Sequence, residues 1–173
     1  MNIKDTIRTI PNWPIEGVMF RDITTLIQDP AAFKATCDLF YARYKGRPID
    51  KIVAIDARGF IFGAVLAYRL NRGLVPVRKK GKLPYSTISA AYTLEYGDNV
   101  VEMHSDAVRA GEKVVIIDDL IATGGTVAAA VQLVEKLGGQ IEELAFVIEL
   151  PDLKGREKIK GYNVFAITEF EGE

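Results

Sequence analysis

The sequence predicts an α/β fold: a doubly wound, mainly parallel sheet with helices on both faces. Three observations carry that prediction. Two short continuous apolar runs, Ile52-Val53-Ala54-Ile55 and Val114-Val115-Ile116-Ile117, suit strands buried on both sides. Each run is followed after a short polar interval by a stretch of helical spacing, and strands alternating with helices are the pattern of parallel sheets. A chain of 173 residues with no internal repeat, low-complexity tract or linker suits one domain, so residues 1–173 are read as a single unit.

Asp29-Pro30 predicts the first long helix, with an acceptor side chain at the N-cap and Pro where a missing N–H costs nothing. Phe33, Cys37, Phe40 and Tyr44 then recur at helical spacing, and Gly46 is the stop. The strand at 52–55 ends in Asp56, Arg58 and Gly59 and leads into residues 60–70, an apolar segment too long for a strand and read as a buried helix. Residues 74–77 predict a second strand, in which Pro76 fits only near a sheet edge. Residues 78–103 differ: basic residues and Gly81 come first, then a β-prone stretch over 87–96, with Gly97-Asp98-Asn99 as turn chemistry. This reads as a long loop carrying a β-hairpin. The strand at 114–117 runs into Asp118 and Asp119, and a helix follows in which Val127, Val131, Val134 and Leu137 share a face before Gly138-Gly139 end it. Further strands are predicted at 144–150 and 162–167.

Composition narrows the function classes. The 22 Lys and Arg against 23 Asp and Glu leave a net charge of −1, which excludes a whole-protein basic footprint; no nucleic-acid partner is expected and any anion site must be local. Cys37 is the only cysteine, so an internal disulfide is excluded, a reducing compartment is implied, and its apolar neighbours give it a packing role. His104, the only histidine, has no His or Cys partner for a metal site and is given a structural role. No segment approaches the ~18–20 apolar residues of a membrane span, and the first residues lack a continuous apolar core. A cytoplasmic protein without a membrane partner is therefore expected.

The chemistry of the chain concentrates at 118–126. In open parallel sheets ligands sit beyond the carboxyl ends of strands, and Asp118-Asp119-Leu120-Ile121-Ala122-Thr123-Gly124-Gly125-Thr126 lies at such a handover. The paired glycines open a helix whose free N–H groups and positive dipole end favour an anion, and Thr123 and Thr126 add hydroxyl donors. A Walker A loop is excluded, because no Lys follows the glycines. Asp118 and Asp119 would repel a bare phosphate yet suit sugar hydroxyls or hydrated Mg²⁺. The loop reads as a sugar-phosphate cradle.

An apolar strand, two acidic residues and Ala-Thr-Gly-Gly-Thr resemble the ribose-phosphate signature of the type I phosphoribosyltransferases. The segments Gly17-Val18-Met19-Phe20-Arg21-Asp22-Ile23, Asp56-Ala57-Arg58-Gly59-Phe60, Arg78-Lys79-Lys80-Gly81-Lys82-Leu83-Pro84 and Leu94-Glu95-Tyr96-Gly97 extend the resemblance to the adenine-using branch of that family, over nearly the whole chain. The resemblance implies transfer of ribose 5-phosphate from phosphoribosyl pyrophosphate (PRPP) to adenine, with Mg²⁺ held mainly through PRPP and water near Asp118 and Asp119. It also implies a homodimer in which Arg78 reaches the partner's site. Residues 1–28 would form a hood over the base and 29–173 the core, with a flexible lid at 79–103.

The same resemblance distributes the roles. Ala122, Thr123, Gly124, Gly125 and Thr126 would bind the 5-phosphate, and Asp118 and Asp119 the ribose, offsetting positive charge that develops on the sugar. Asp56, Ala57, Arg58 and Gly59 would form a pyrophosphate loop, which in this family often holds a non-proline cis peptide; Arg78, Lys79 and Lys82 would add cations to it. Met19, Phe20 and Arg21 would recognise adenine, Phe20 by stacking and Arg21 by donating to a ring nitrogen. Glu95 on the lid would move the proton, and Tyr96 would pack the closed lid. Family members that use other bases share the 118–126 signature and differ in hood and lid. Purine-sensing regulators on this fold carry an added DNA-binding domain, for which this length and charge leave no room.

Overall fold

The computed structural model describes residues 1–94 and 97–172. An antiparallel ribbon of β1 (Arg8–Pro11) and β2 (Met19–Asp22) comes first, followed by a short helix α1 (Thr24–Gln28) and the long α2 (Pro30–Tyr44). Asp29 caps α2 as its sequence requires, accepting from the N–H groups of Ala31 and Ala32. Then come β3 (Lys51–Ile55), α3 (Arg58–Leu70), β4 (Gly73–Lys79), the hairpin strands β5 (Thr87–Leu94) and β6 (Gly97–His104), and β7 (Lys113–Ile121). Helix α4 (Gly125–Lys136), β8 (Gln140–Glu149) and β9 (Val164–Glu169) complete the chain, with short 3-10 turns at Pro151–Leu153 and Gly155–Ile159.

The main sheet has seven strands in the order β5-β6-β4-β3-β7-β8-β9. From β4 to β9 all pairings are parallel, and the hairpin adds two antiparallel strands at the β4 edge. Alternate residues of the parallel strands enter two cores. Ile52, Ala54, Val115, Ile117, Ala145 and Val147 pack under Phe40 of α2 and Phe62 and Leu66 of α3. On the other face Val53, Ile55, Val114, Ile116, Leu144 and Phe146 pack against Val127, Val131 and Val134 of α4. Since α3 and α4 cover opposite faces, the chain leaves β3 toward β4 and leaves β7 toward β8. The crevice between the carboxyl ends of β3 and β7 is thus the topological switch point.

Three departures from the sequence expectation bear on the site. Strand β7 continues past Ile117 because β8 keeps pairing with it, Asp118 opposite Phe146 and Ile121 opposite Glu149, so both aspartates lie within the strand. Gly97, Asp98 and Asn99 do not turn the hairpin; they pair with Leu94, Thr93 and Tyr92 inside it. The hairpin is also part of the sheet, with Arg78 opposite Glu102 and Lys79 opposite Val101. That pairing starts above Pro76. Val77 O accepts from Asp56 N of the β3 side, so by alternation the Pro76 nitrogen faces away from β3, where no ladder bond is needed.

Candidate active site

At the switch point a cavity of 580 Å³ opens, lined by Asp56, Ala57, Arg58, Arg78, Lys79, Lys82, Tyr92 and the run from Asp118 to Val127. Its floor is the loop between β7 and α4. Gly124 takes φ +83, a left-handed conformation, and α4 starts with no side-chain cap and no acidic residue in its first turn. The N–H groups that the first helical turn cannot satisfy therefore remain available at the cavity, with the positive end of the helix dipole behind them. A Cβ on Gly124 would lie 2.4 Å from Gly155 O, and one on Gly155 2.4 Å from Ala122 O. The two backbones can approach this closely only because both residues lack side chains. Arg156, next to Gly155, makes two bonds to the buried Glu149, 2.7 and 2.6 Å, which ties this turn to the end of β8.

The opposite wall is the β3–α3 connection. Here the Asp56–Ala57 peptide is cis, and α3 begins at Arg58, two residues earlier than the hydrophobic pattern indicates. Charges are paired crosswise. Arg58 Nε donates to Asp119 Oδ2 at 2.5 Å, and Arg78 Nε to Asp56 Oδ2 at 2.9 Å. Asp119 N donates in turn to Asp118 Oδ1 at 2.8 Å. Gly59 lies directly over this carboxyl, since a Cβ there would fall 2.9 Å from Asp118 Oδ1. Burial, and next the neighbouring Asp119 carboxylate, push the Asp118 carboxyl well above the usual range.

The carboxylates fit a hydrated Mg²⁺ as partial ligands. One oxygen of each already accepts a protein hydrogen bond, and no group of three or more His, Cys, Asp or Glu converges among the described residues. Most of a metal's coordination here would be left to ligand oxygens and water.

The structure thus brings the sequence-derived Asp56, Ala57, Arg58, Arg78, Lys79, Lys82, Asp118, Asp119 and 122–126 to one cavity, with Gly59 packed behind it. Met19, Phe20 and Arg21 lie on β2, outside the lining residues. Phe20 meets Trp13 edge-on at 4.5 Å between ring centroids, and Arg21 Nη1 donates to Thr9 Oγ1 at 2.7 Å while its guanidinium covers Phe170. Glu95 and Tyr96 lie outside the described residues. His104 is elsewhere, at 2.5 Å from Pro84 O through Nε2.

Two residues escape the sequence reading. Tyr92 enters the cavity from β5 and meets α4, where a Cβ on Gly125 would lie 3.1 Å from its ring. Its signal was the alternation of Ile88, Ala90 and Tyr92 with exposed Ser89, Ala91 and Thr93. Gly155 carries no local signal, because its constraint comes from a loop over thirty residues away in sequence.

Comparison with known proteins agrees with this geometry. The family model described as "Phosphoribosyl transferase domain" matches residues 23–173. The adenine phosphoribosyltransferase of Desulfosudis oleivorans is 69% identical over 173 residues, covering 100% of both chains. That of Chlorobium luteolum is 55% identical over 177 residues, again covering 100% of each. Among solved structures, the adenine phosphoribosyltransferase of Thermoanaerobacter pseudethanolicus superposes with a TM-score of 0.93 at 49% identity, over 97% of this chain and 98% of that one. The Saccharomyces cerevisiae enzyme, complexed with D-2,5-dideoxy-2,5-imino-altritol 1,6-bisphosphate and adenine, gives a TM-score of 0.91 at 42% identity over 96% of each chain. With its switch-point cavity, its 118–126 signature and these relatives, the chain belongs to the phosphoribosyl transferase domain family.

Proposed function

We infer that the protein is a transferase that moves the 5-phosphoribosyl group of PRPP to adenine, releasing AMP and pyrophosphate, a reaction of purine salvage. One observation carries this reading: a single cavity places an open helix N-terminus on one side, a cationic wall on the other and two carboxylates between them. That is the order of parts in a sugar with phosphate at one end and pyrophosphate at the other. The relatives named for adenine support the choice of base.

In this assignment the N–H groups and hydroxyls of 122–126 hold the 5-phosphate, and Arg58, Lys79 and Lys82 hold pyrophosphate with the Asp56–Gly59 loop, while Arg78 is the pyrophosphate cation exchanged between subunits. Asp118 and Asp119 hold the ribose hydroxyls and offset positive charge at the anomeric carbon as the pyrophosphate bond lengthens. Asp118 and Asp119 would hold a hydrated Mg²⁺ mainly through water and PRPP, and it would supply charge neutralisation on the leaving pyrophosphate. Met19, Phe20 and Arg21 of the hood, residues 1–28, receive adenine, with Arg21 exchanging Thr9 for a ring nitrogen. The lid, residues 79–103 of the core 29–173, closes to exclude water, which would otherwise capture the activated sugar, and brings Glu95 to the proton. The proposed assembly is a cytoplasmic homodimer in which Arg78 serves the partner's site; no helix among the described residues is long and apolar enough to cross a membrane.

The test is AMP formation from adenine and PRPP with Mg²⁺. Alanine at Asp118 or Asp119 is expected to lower turnover by about 10² or more, and His104→Ala by less than about threefold. Equal losses at all three positions would defeat the assignment.

A further inference from the structure

The cationic stretch that enters the cavity is a tight turn held by a buried carboxylate. Lys82 N donates to Lys79 O at 3.2 Å, and the third residue of this turn, Gly81, has φ +84, the sign a type II turn demands there. Lys80 N donates to Val100 O on β6 at 3.0 Å, and Arg78 Nη1 to Lys82 O at 3.5 Å. The remaining amide, Gly81 N–H, donates to Glu102 Oε2 at 3.1 Å.

Glu102 lies on β6 opposite Arg78 and is 8% exposed. A carboxylate at such depth is normally paired with a cation, and its register partner Arg78 is one of four cations within five residues. Yet Arg78 gives its Nε to Asp56, and among the described residues no lysine or arginine forms an ion pair with Glu102. Its charge is directed at a backbone N–H, where a charged acceptor makes a strong bond. The geometric consequence is selective: Lys79 and Lys82, the two ends of the turn, line the cavity, whereas Lys80 does not.

We propose that Glu102 is a positioning residue for the pyrophosphate half of the site. By holding the Gly81 N–H it fixes the turn that presents Lys79 and Lys82, while leaving both ammonium groups available to ligand oxygens. This rests on the assignment of that turn to pyrophosphate made above.

Product inhibition separates the two halves of the cavity, because pyrophosphate reports the cationic turn and AMP the 122–126 loop. Glu102→Met keeps the volume and removes the acceptor, whereas Glu102→Gln keeps an oxygen able to accept from Gly81 N. Glu102→Met is expected to raise the inhibition constant of pyrophosphate and the KM of PRPP about tenfold, leaving the AMP constant and the adenine KM within about twofold. Glu102→Gln is expected to return both shifted values to within about threefold of the parent. Lys82→Ala, run alongside, must itself weaken pyrophosphate. If it does and Glu102→Met does not, the role of Glu102 is overturned; equal weakening of AMP and pyrophosphate by Glu102→Met overturns it too, since general damage moves both. If Lys82→Ala leaves pyrophosphate unchanged, the pyrophosphate assignment falls and takes the proposal with it, a different failure that this control identifies.

Discussion

Arg58 Nε donates to Asp119 Oδ2 across the crevice between β3 and β7, so the first cation of α3 and a buried carboxylate of β7 neutralise each other. Arg58 is half exposed while Asp119 is buried in the sheet, so the guanidinium is the member of the pair that a ligand can reach. Pyrophosphate oxygens would compete for its donor fork. Arg58→Ala is expected to lower kcat/KM for PRPP by about 10- to 100-fold, and Arg58→Lys to recover little, because an ammonium lacks the bidentate geometry. Initial rates against PRPP concentration check this.

Gly155→Ala puts a methyl 2.4 Å from Ala122 O, so the floor of the cavity must shift. The KM for PRPP and the inhibition constant of AMP are expected to rise about tenfold, with the KM for adenine unchanged. Loss of adenine affinity in equal measure would mean that the substitution disturbs the whole domain rather than the loop.

Asp22 gives the ribbon a pH dependence. Hydrogen bonds from Thr24, and next from Arg8, hold its carboxyl down at about 2, against 3.8 ordinarily. Because the folded value is the lower one, the stabilisation is full above 3.8 and disappears as pH falls toward about 2. In denaturant titrations, Asp22→Asn is expected to be less stable than the parent at pH 6, and the gap should close between pH 4 and pH 2. A gap that widens in that window contradicts the account.

Burial pushes the Cys37 thiol up to about 11 from 9.0, within the core beneath α2. Thiolate is the reactive form, so the folded protein should resist a disulfide-exchange reagent at pH 8 and react at once in denaturant. Fast labelling of the folded protein would show that α2 opens locally.

Most of this architecture is legible in local sequence because its determinants are local. The apolar runs 52–55 and 114–117, the Asp29-Pro30 start and the 122–126 loop each declare an element by composition and spacing alone. Most departures arise from partners distant in the chain, and one from the facing strand of a hairpin. Asp118 and Asp119 sit inside β7 because β8 pairs with them, and Gly97 to Asn99 remain strand because β5 lies opposite. Pro76 is accepted because β6 joins β4 only from Arg78 onward. Gly155 looks like an ordinary turn glycine until Ala122 and Gly124 are seen against it. For the site, the residue types and their loops were readable, whereas the crosswise pairing of Arg58 with Asp119 and Arg78 with Asp56 needed the sheet order to bring β3, β4 and β7 side by side.

The most direct test of the central claim is a comparison of initial rates of nucleotide formation from PRPP and Mg²⁺ with adenine, hypoxanthine, guanine and xanthine in parallel. The account predicts AMP from adenine and negligible turnover with the three oxopurines. Turnover with an oxopurine at a rate comparable to adenine would contradict it, removing the assignment of Met19, Phe20 and Arg21 to the adenine base.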